Sequence, residues 1–208
     1  MANISDTNIK VCDWSEGIEH VLKKEAEQSE SLFWLHNKAA LMASKYNDYI
    51  QIPSIILQTI TGFLSATGGL VPPLALGAFS IFTGVLTTVL SYYKFSARAE
   101  GHRVVAQLYM KIYKTLEIEL SLPTSQREDP QVLLDDVREK LARISEVAPD
   151  IPDSIILLYK KNFKDATTSK PTIANGLDTI TIYKDPVVAS VPVFTPRVKV
   201  QIHQNVQV

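Results

Sequence analysis

The sequence predicts an all-α membrane protein, in which a hairpin of two transmembrane helices is extended by amphipathic cytoplasmic helices and followed by an extended C-terminal tail. Positions 49 to 93 contain no Asp, Glu, Lys or Arg, and glycine and proline pairs divide this stretch in two. Apolar residues recur at helical spacing on both sides of it. We therefore expect five segments: an arm 1–14, a helix 15–48, the hairpin 49–93, a helical region 94–164 and the tail 165–208.

The uncharged stretch is long enough to cross a membrane twice. A helix needs about 20 apolar residues to cross a hydrocarbon core about 30 Å thick, and Ile50–Leu70 and Leu74–Tyr93 each have that length. Gly68-Gly69 and Pro72-Pro73 form the turn between them. The alternative is a hairpin buried in a soluble core, which the other residues would have to cover completely. Because those residues carry all the charge, the membrane interpretation is favoured.

Aromatic and basic residues flank both spans at the same end of the hairpin. Such residues are typical of a membrane–water interface, where the basic ones contact lipid phosphates. The turn 66–73 has no Lys or Arg, so we expect both termini on the cytoplasmic side. The predicted interface residues are Tyr46, Tyr49, Tyr92, Tyr93, Lys94, Arg98 and Arg103.

Small and hydroxylated residues recur every three or four positions in each span. In lipid, such faces permit close backbone approach and hydrogen bonds between helices, so we expect them to pack the hairpin or another copy; a conduction path is the alternative. The absence of charged residues and His from the spans disfavours a transporter or pump. The predicted packing face comprises Ser54, Gln58, Gly62, Ser65, Gly69, Ser80, Gly84, Thr87 and Ser91.

Amphipathic helices are expected on both sides of the hairpin. Ser15–Asp48 should run straight into the first span, and the second span should continue as Lys94–Leu122, which has heptad-like apolar spacing. We expect these two extensions to pack antiparallel. Asp129 and Pro130 provide an N-cap and a first residue for the next helix, and Asp153 is expected to cap a short last helix.

The composition changes from Asp165 onward, where Thr, Val, Pro and Asn become frequent. Alternating β-branched residues predict an extended segment, although its prolines forbid a central strand position. A disordered terminus is one interpretation. We favour a clamp that binds a partner protein, because the segment has many β-branched residues and few charges. The predicted partner-binding residues are Val187, Val188, Val191, Val193, Phe194, Val198, Val200 and Ile202.

The residues indicate no enzyme, cofactor or metal site. The four histidines have no metal-ligand spacing, and phosphate-loop and nucleophile-elbow motifs are absent from the sequence. The polar cluster around His102 is better explained by lipid contacts, and by pairing of Glu100 with a neighbouring helix, than by catalysis. A net charge of −1 and a pI near 6.4 disfavour nucleic-acid binding. Cys12 is the only cysteine, which fits a reducing compartment.

Short motifs surround the predicted spans. They are Trp34 with Lys38-Ala39-Ala40, Ala99-Glu100-Gly101-His102-Arg103 followed by Tyr109 and Leu116–Leu122, and Ala148-Pro149-Asp150-Ile151-Pro152. Together with the paired spans, these motifs resemble the SLATT superfamily of two-transmembrane domains, over residues 30 to 163. The resemblance implies a membrane effector that forms pores and has no active site. The tail after Asp165 departs from the family's pattern.

Two classes of function are therefore expected. The favoured one is a non-enzymatic structural protein that tethers a bilayer to a protein assembly through its tail, as a minor capsid or inner-membrane protein of a large DNA virus would. The alternative is a SLATT-type oligomeric effector or pore. The tail favours the first, because a clamp requires it and a pore does not. The expected partners are a lipid bilayer, further copies of the chain and, for the tail, a protein such as a capsid protein.

Overall fold

The computed structural model describes residues 13–68, 71–176, 180 and 182. Helices account for 82% of these residues and none of them lies in a strand, so the all-α prediction is confirmed. A 3₁₀ turn, Thr124–Gln126, joins the third helix to the fourth. The helices are α1 (Glu16–Ala66), α2 (Pro73–Tyr93), α3 (Phe95–Ser121), α4 (Pro130–Val147), α5 (Asp153–Asn162) and α6 (Thr172–Asn175).

Helix α1 is continuous from the polar N-terminal region into the uncharged segment. The Ser15 hydroxyl caps it by accepting a hydrogen bond of 3.3 Å from the Ile18 N–H. Glu16 and Glu19 lie in the first turn, where a negative charge interacts favourably with the positive end of the helix dipole. Pro53 lies inside the helix and removes one backbone donor. The expected continuation of the first helix into the apolar segment is present.

Helix α3 packs antiparallel against the polar half of α1, and α4 lies against both. His36 contacts His102, and Tyr46 contacts Phe95 with ring centroids 5.9 Å apart. Residue numbers therefore increase along α1 where they decrease along α3. The predicted antiparallel pairing is confirmed. The three helices share one core of buried residues: Leu22, Ala26, Val105, Tyr109, Ile112, Leu116, Leu133, Leu134, Val137 and Ile144.

The end of this bundle opposite the apolar segment is closed by Arg127. Its guanidinium donates to the carbonyl oxygens of Leu122 at 2.8 Å and Leu120 at 3.1 Å, and it forms an ion pair with Glu19 on α1. The guanidinium carbon also lies 4.8 Å from the ring centroid of Trp14. These contacts join the turn after α3 to the start of α1.

Helix caps show which local predictions hold. The Asp129 carboxylate accepts hydrogen bonds from two backbone N–H groups at the start of α4, whose first residue is Pro130, so this predicted cap is confirmed. The predicted cap at Asp153 is wrong. Pro152 occupies the N-cap position of α5 without a side-chain bond, and Asp153 is the first helical residue.

The chain after α5 returns to α1 instead of extending away from it. Ala174 on α6 is buried in a second core with Leu35 on α1 and with Tyr159 on α5. The Glu27 carboxylate accepts a hydrogen bond of 2.7 Å from the Ser169 N–H. Residues 169 to 176 therefore belong to the folded body, although we expected an extended tail from Asp165. Contacts divide the chain into Met1–Asp178 and Thr179–Val208, and the predicted partner-binding residues lie outside the described residues.

Candidate functional site

The hairpin of α2 and residues 49 to 66 of α1 exposes most of its large apolar side chains, and the two residues that it buries are polar. Ser54 and Thr83 are its buried residues, at 3% and 5% exposure. Phe63 and Ile81, in contrast, are 68% and 71% exposed. The bundle below the hairpin has the opposite arrangement, with Leu, Val and Ile inside. The other large exposed apolar residues of the hairpin are Ile52, Ile55, Ile56, Ile60, Leu74, Phe79, Phe82 and Val85.

Among the described residues, one helix is long and apolar enough to cross a membrane. Its most apolar stretch of 18 residues, within Pro73–Ser121, has a mean hydropathy of 1.8, and only 6% of that stretch is buried. Because Lys94 interrupts that stretch, the apolar part is α2. Its 21 residues extend about 30 Å, which matches the thickness of a bilayer's hydrocarbon core. The arm from α1 is less apolar, since Gln51 and Gln58 interrupt its isoleucines.

The predicted packing face lies only partly inside the hairpin. Gln58 donates a hydrogen bond of 3.5 Å to the Thr87 hydroxyl and so joins the two arms. A Cβ atom at Gly62 or Gly84 would meet nothing within 4 Å, so the expected close approach at these glycines is absent from the single chain. Gly84 lines an open groove between the two arms, and Gly62 is exposed. Ser65, Ser80 and Ser91 are exposed as well, and Gly69 lies outside the described residues.

A polar groove lies on the surface of the hairpin beside Ser80 and Gly84. It has a volume of about 410 Å³ and runs between the two arms. No charged side chain lines it. Its lining residues are Gln58, Thr61, Ser80, Thr83, Gly84 and Thr87.

Aromatic residues cluster at the base of the hairpin, where α1, α2 and α3 meet. Phe95 stacks on Tyr93 with ring centroids 5.3 Å apart, and its ring also contacts that of Tyr46 on α1 at 5.9 Å. Tyr92 meets Tyr93 edge-on at 5.1 Å. Tyr49 is exposed one turn above Tyr46. The structure thus brings the predicted interface tyrosines to one end of the hairpin, together with Phe95.

Lys94 separates α2 from α3, so the predicted uninterrupted helix is wrong. Its backbone is left-handed, with φ of 49° and ψ of 43°, and its N–H donates to the Leu90 carbonyl to end α2. The stacking of Tyr93 on Phe95 accompanies this bend. Farther along α3, Arg103 pairs with Glu100 at 3.4 Å. The expected pairing of Glu100 with a neighbouring helix is therefore wrong.

A pair of buried histidines joins α1 to α3 below the aromatic cluster. The Nδ1 atoms of His36 and His102 lie 2.9 Å apart, and the His36 ring stacks on Tyr109. One Nδ1–H must donate and the other Nδ1 accept, so the accepting ring must be neutral and the contact is lost when both rings are protonated. Burial and the neighbouring His102 lower the pKa of His36 to about 4. Burial and the charge of Arg98 lower the pKa of His102.

Sequence reasoning missed this contact because the two histidines are far apart in the chain. The available signal was periodicity. His36 lies on the same face of α1 as Leu32 and Ala39, and His102 lies on the apolar stripe of α3. Within the described part of the chain, no group of three or more His, Cys, Asp or Glu side chains could hold a metal ion.

No family model, curated protein or solved structure matches this chain. The resemblance of residues 30 to 163 to the SLATT superfamily therefore stays a prediction.

Proposed function

We propose that this chain is a non-enzymatic integral membrane protein that tethers a bilayer to a protein assembly. The exposed apolar surface of the hairpin is the observation that carries this proposal. Exposing Phe63, Ile81 and their neighbours to water would be unfavourable, whereas lipid is a good solvent for them. A contiguous apolar surface of this kind marks a membrane or protein contact. The length of α2 favours the membrane.

In this proposal, residues 49 to 66 of α1 form the other transmembrane span, beside α2. This arm packs beside α2, exposes Ile52, Ile56 and Phe63, and turns Gln58 towards Thr87. In lipid, polar side chains of a span are most stable where they bond across to another helix. The tyrosines at the base then lie at one interface, and the adjacent Lys94 and Arg98 favour the cytoplasmic side. Both termini lie on that side.

The tethering part of the proposal concerns the chain beyond Asp178. Met1–Asp178 forms one unit by its contacts, and the β-branched segment that includes Val187–Val208 follows it. An extended segment of this composition suits strand addition to a partner, because its backbone groups and alternate side chains both remain available. A viral capsid layer is the kind of assembly that would use such a membrane tether.

Removing residues 179–208 should abolish copurification of partner proteins and leave membrane insertion unchanged. The deletion removes the segment that includes Val187–Val208, whereas Ala174 and its core contacts remain. A deletion that begins at Pro171 is the contrasting variant, because it also removes α6 and should lower the thermal stability of the body. Mass spectrometry of the detergent-extracted protein identifies the partners, and carbonate extraction measures insertion.

A full-length variant controls for the length of the chain. Phe194→Asp combined with Val200→Asp should lose the same partners as the deletion, since both changes remove apolar side chains from the predicted contact. Partners that copurify equally with the wild type and both variants would contradict the tether.

The polar groove favours a second candidate function, an oligomeric pore. A groove lined by Gln58, Thr61 and Thr87 is unfavourable against lipid tails, and another copy of the hairpin would cover it. This is the arrangement that the resemblance to membrane effectors implies. Without charged lining residues, however, such a pore would have no ion-selective ring.

Liposome leakage distinguishes the two candidates. As a tether, the purified full-length protein should leave a trapped dye inside. Gly84→Leu is the decisive variant for a pore, because the new side chain meets no atom of its own chain within 4 Å of the Cβ and enters the groove instead. Leakage that persists without residues 179–208 and disappears with Gly84→Leu would make the protein a pore.

A further inference from the structure

A small cleft lies at the base of the hairpin, where α2 ends. Its volume is about 310 Å³. The end of α2 and the first turns of α3 form one side, and the segment after α4 forms the other. The residues that line the cleft are Tyr92, Tyr93, Lys94, Ala97, Arg98, Gly101, Val147 and Pro149.

The cleft carries two positive charges and no negative one. Lys94 and Arg98 are exposed, and within the described residues neither side chain forms a hydrogen bond or ion pair. Arg103, farther along the same helix, differs because Glu100 neutralises it. The cations of the cleft are thus available to an external anion, and Arg103 provides a matched comparison.

The backbone at Lys94, where α3 begins, adds partial positive charge to the cleft. Lys94 is the one residue other than glycine with positive φ in the described chain, and a left-handed conformation is unfavourable for a residue that has a Cβ atom. Glycine would adopt it without that cost. Helix α3 also begins at this point without a side-chain cap, so the partial positive charge of its N-terminus is not offset there.

We propose that this cleft binds the headgroup of an anionic phospholipid, whose phosphate Lys94 and Arg98 contact. The inference rests on the proposed membrane hairpin, which places the end of α2 at the headgroup level. The exposed Tyr92 ring is suited to the same level, because aromatic rings collect at this interface. The cytoplasmic leaflet, which both termini face in the proposal, is the leaflet that carries anionic lipids. A lipid is therefore favoured over a free phosphate.

Native mass spectrometry of the detergent-solubilised full-length protein tests the inference. The protein is mixed with equal amounts of phosphatidylserine and phosphatidylcholine, and the affinity of the first bound lipid is measured for each. We expect phosphatidylserine to bind more tightly. Because a basic residue near a lipid surface contributes about 1 kcal/mol, Arg98→Gln and Lys94→Gly should each reduce this preference about fivefold.

The variants separate a specific site from general surface charge. Arg103→Gln removes the same charge from the same helix, but its arginine is paired with Glu100, so the preference should remain. Lys94→Gly should also keep or raise the thermal stability, since it relieves the left-handed strain, and a loss of preference could not then be attributed to unfolding. Equal losses in Arg98→Gln and Arg103→Gln would overturn the proposed site.

Two further measurements test the lipid-binding cleft separately from the membrane hairpin on which the inference rests. Excess inorganic phosphate should not displace phosphatidylserine; displacement would assign the cleft to a soluble phosphate. Carbonate extraction of the same variants should find all of them in the membrane. Inserted protein without a lipid preference would refute the cleft alone, whereas extracted wild-type protein would refute the membrane hairpin.

Discussion

Ile81→Arg is expected to prevent insertion of the hairpin, whereas Ile118→Arg should leave insertion unchanged. Ile81 lies near the middle of α2 and Ile118 lies on α3, and they are 71% and 59% exposed. An Arg at the centre of a spanning helix costs about 2.5–3.5 kcal/mol on insertion scales, which is about a hundredfold in the equilibrium. A surface substitution in water usually changes stability by less than about 0.5 kcal/mol.

Glycosylation in microsomes measures this insertion. An acceptor site placed in a lengthened loop between α1 and α2 should be modified in the wild type and in Ile118→Arg, but not in Ile81→Arg. Acceptors at the two termini should stay unmodified. Because both isoleucines are similarly exposed, equal behaviour of the two variants would contradict a membrane hairpin, and modified termini would reverse its orientation.

Acidification should destabilise the contact between α1 and α3 through the buried histidines. The pKa of His36 is lowered from 6.5 to about 4 in the folded protein, so between these pH values the unfolded chain binds a proton that the folded chain does not. The free energy of unfolding therefore falls as the pH drops from about 6.5 to about 4, and stays unaffected by this group above 6.5. The loss from His36 is about 3 kcal/mol.

Denaturant titrations at neutral pH and near pH 4 measure this effect. Replacing both His36 and His102 with Leu should preserve stability at neutral pH, because two hydrogen-bonded groups are exchanged for apolar ones, and should remove most of the acid sensitivity. His20→Gln serves as the control because His20 is exposed. Other titrating groups contribute equally to all variants. An unchanged acid loss in the double variant would show that the histidine pair is not its source.

Local interactions made part of the fold predictable from sequence. Asp129 and Pro130 mark the start of α4 because a cap involves neighbours within one turn. Two ion pairs on α4 are equally local, since each joins residues four positions apart: Asp136 with Lys140, and Glu139 with Arg143. The uncharged stretch likewise indicated α2, the one helix among the described residues that is long and apolar enough to cross a membrane.

Features that depend on the register or rotation of helices were not predictable. The contact of His36 with His102 requires the alignment of two helices, which periodicity alone does not fix. The open space beside Gly62 and Gly84 is a similar case, because helical spacing defines a face but not what that face meets. Lys94 is unusual in a left-handed conformation. Its bend accompanies the contact of Phe95 with Tyr46 on α1, which joins residues far apart in the chain and had no sequence signal.

In the proposed membrane hairpin, the continuity of α1 sets the distance between the bilayer and the start of this helix. From Tyr49 at the proposed lipid boundary to Glu16 at its first residue, α1 extends about 50 Å at the standard helical rise. Arg127 holds the far end of this rod against the turn after α3, so its length cannot be taken up by fraying there. A layer that contacts the start of α1 would be kept about 50 Å from the bilayer. Many copies side by side would then keep that layer at a uniform distance from the membrane.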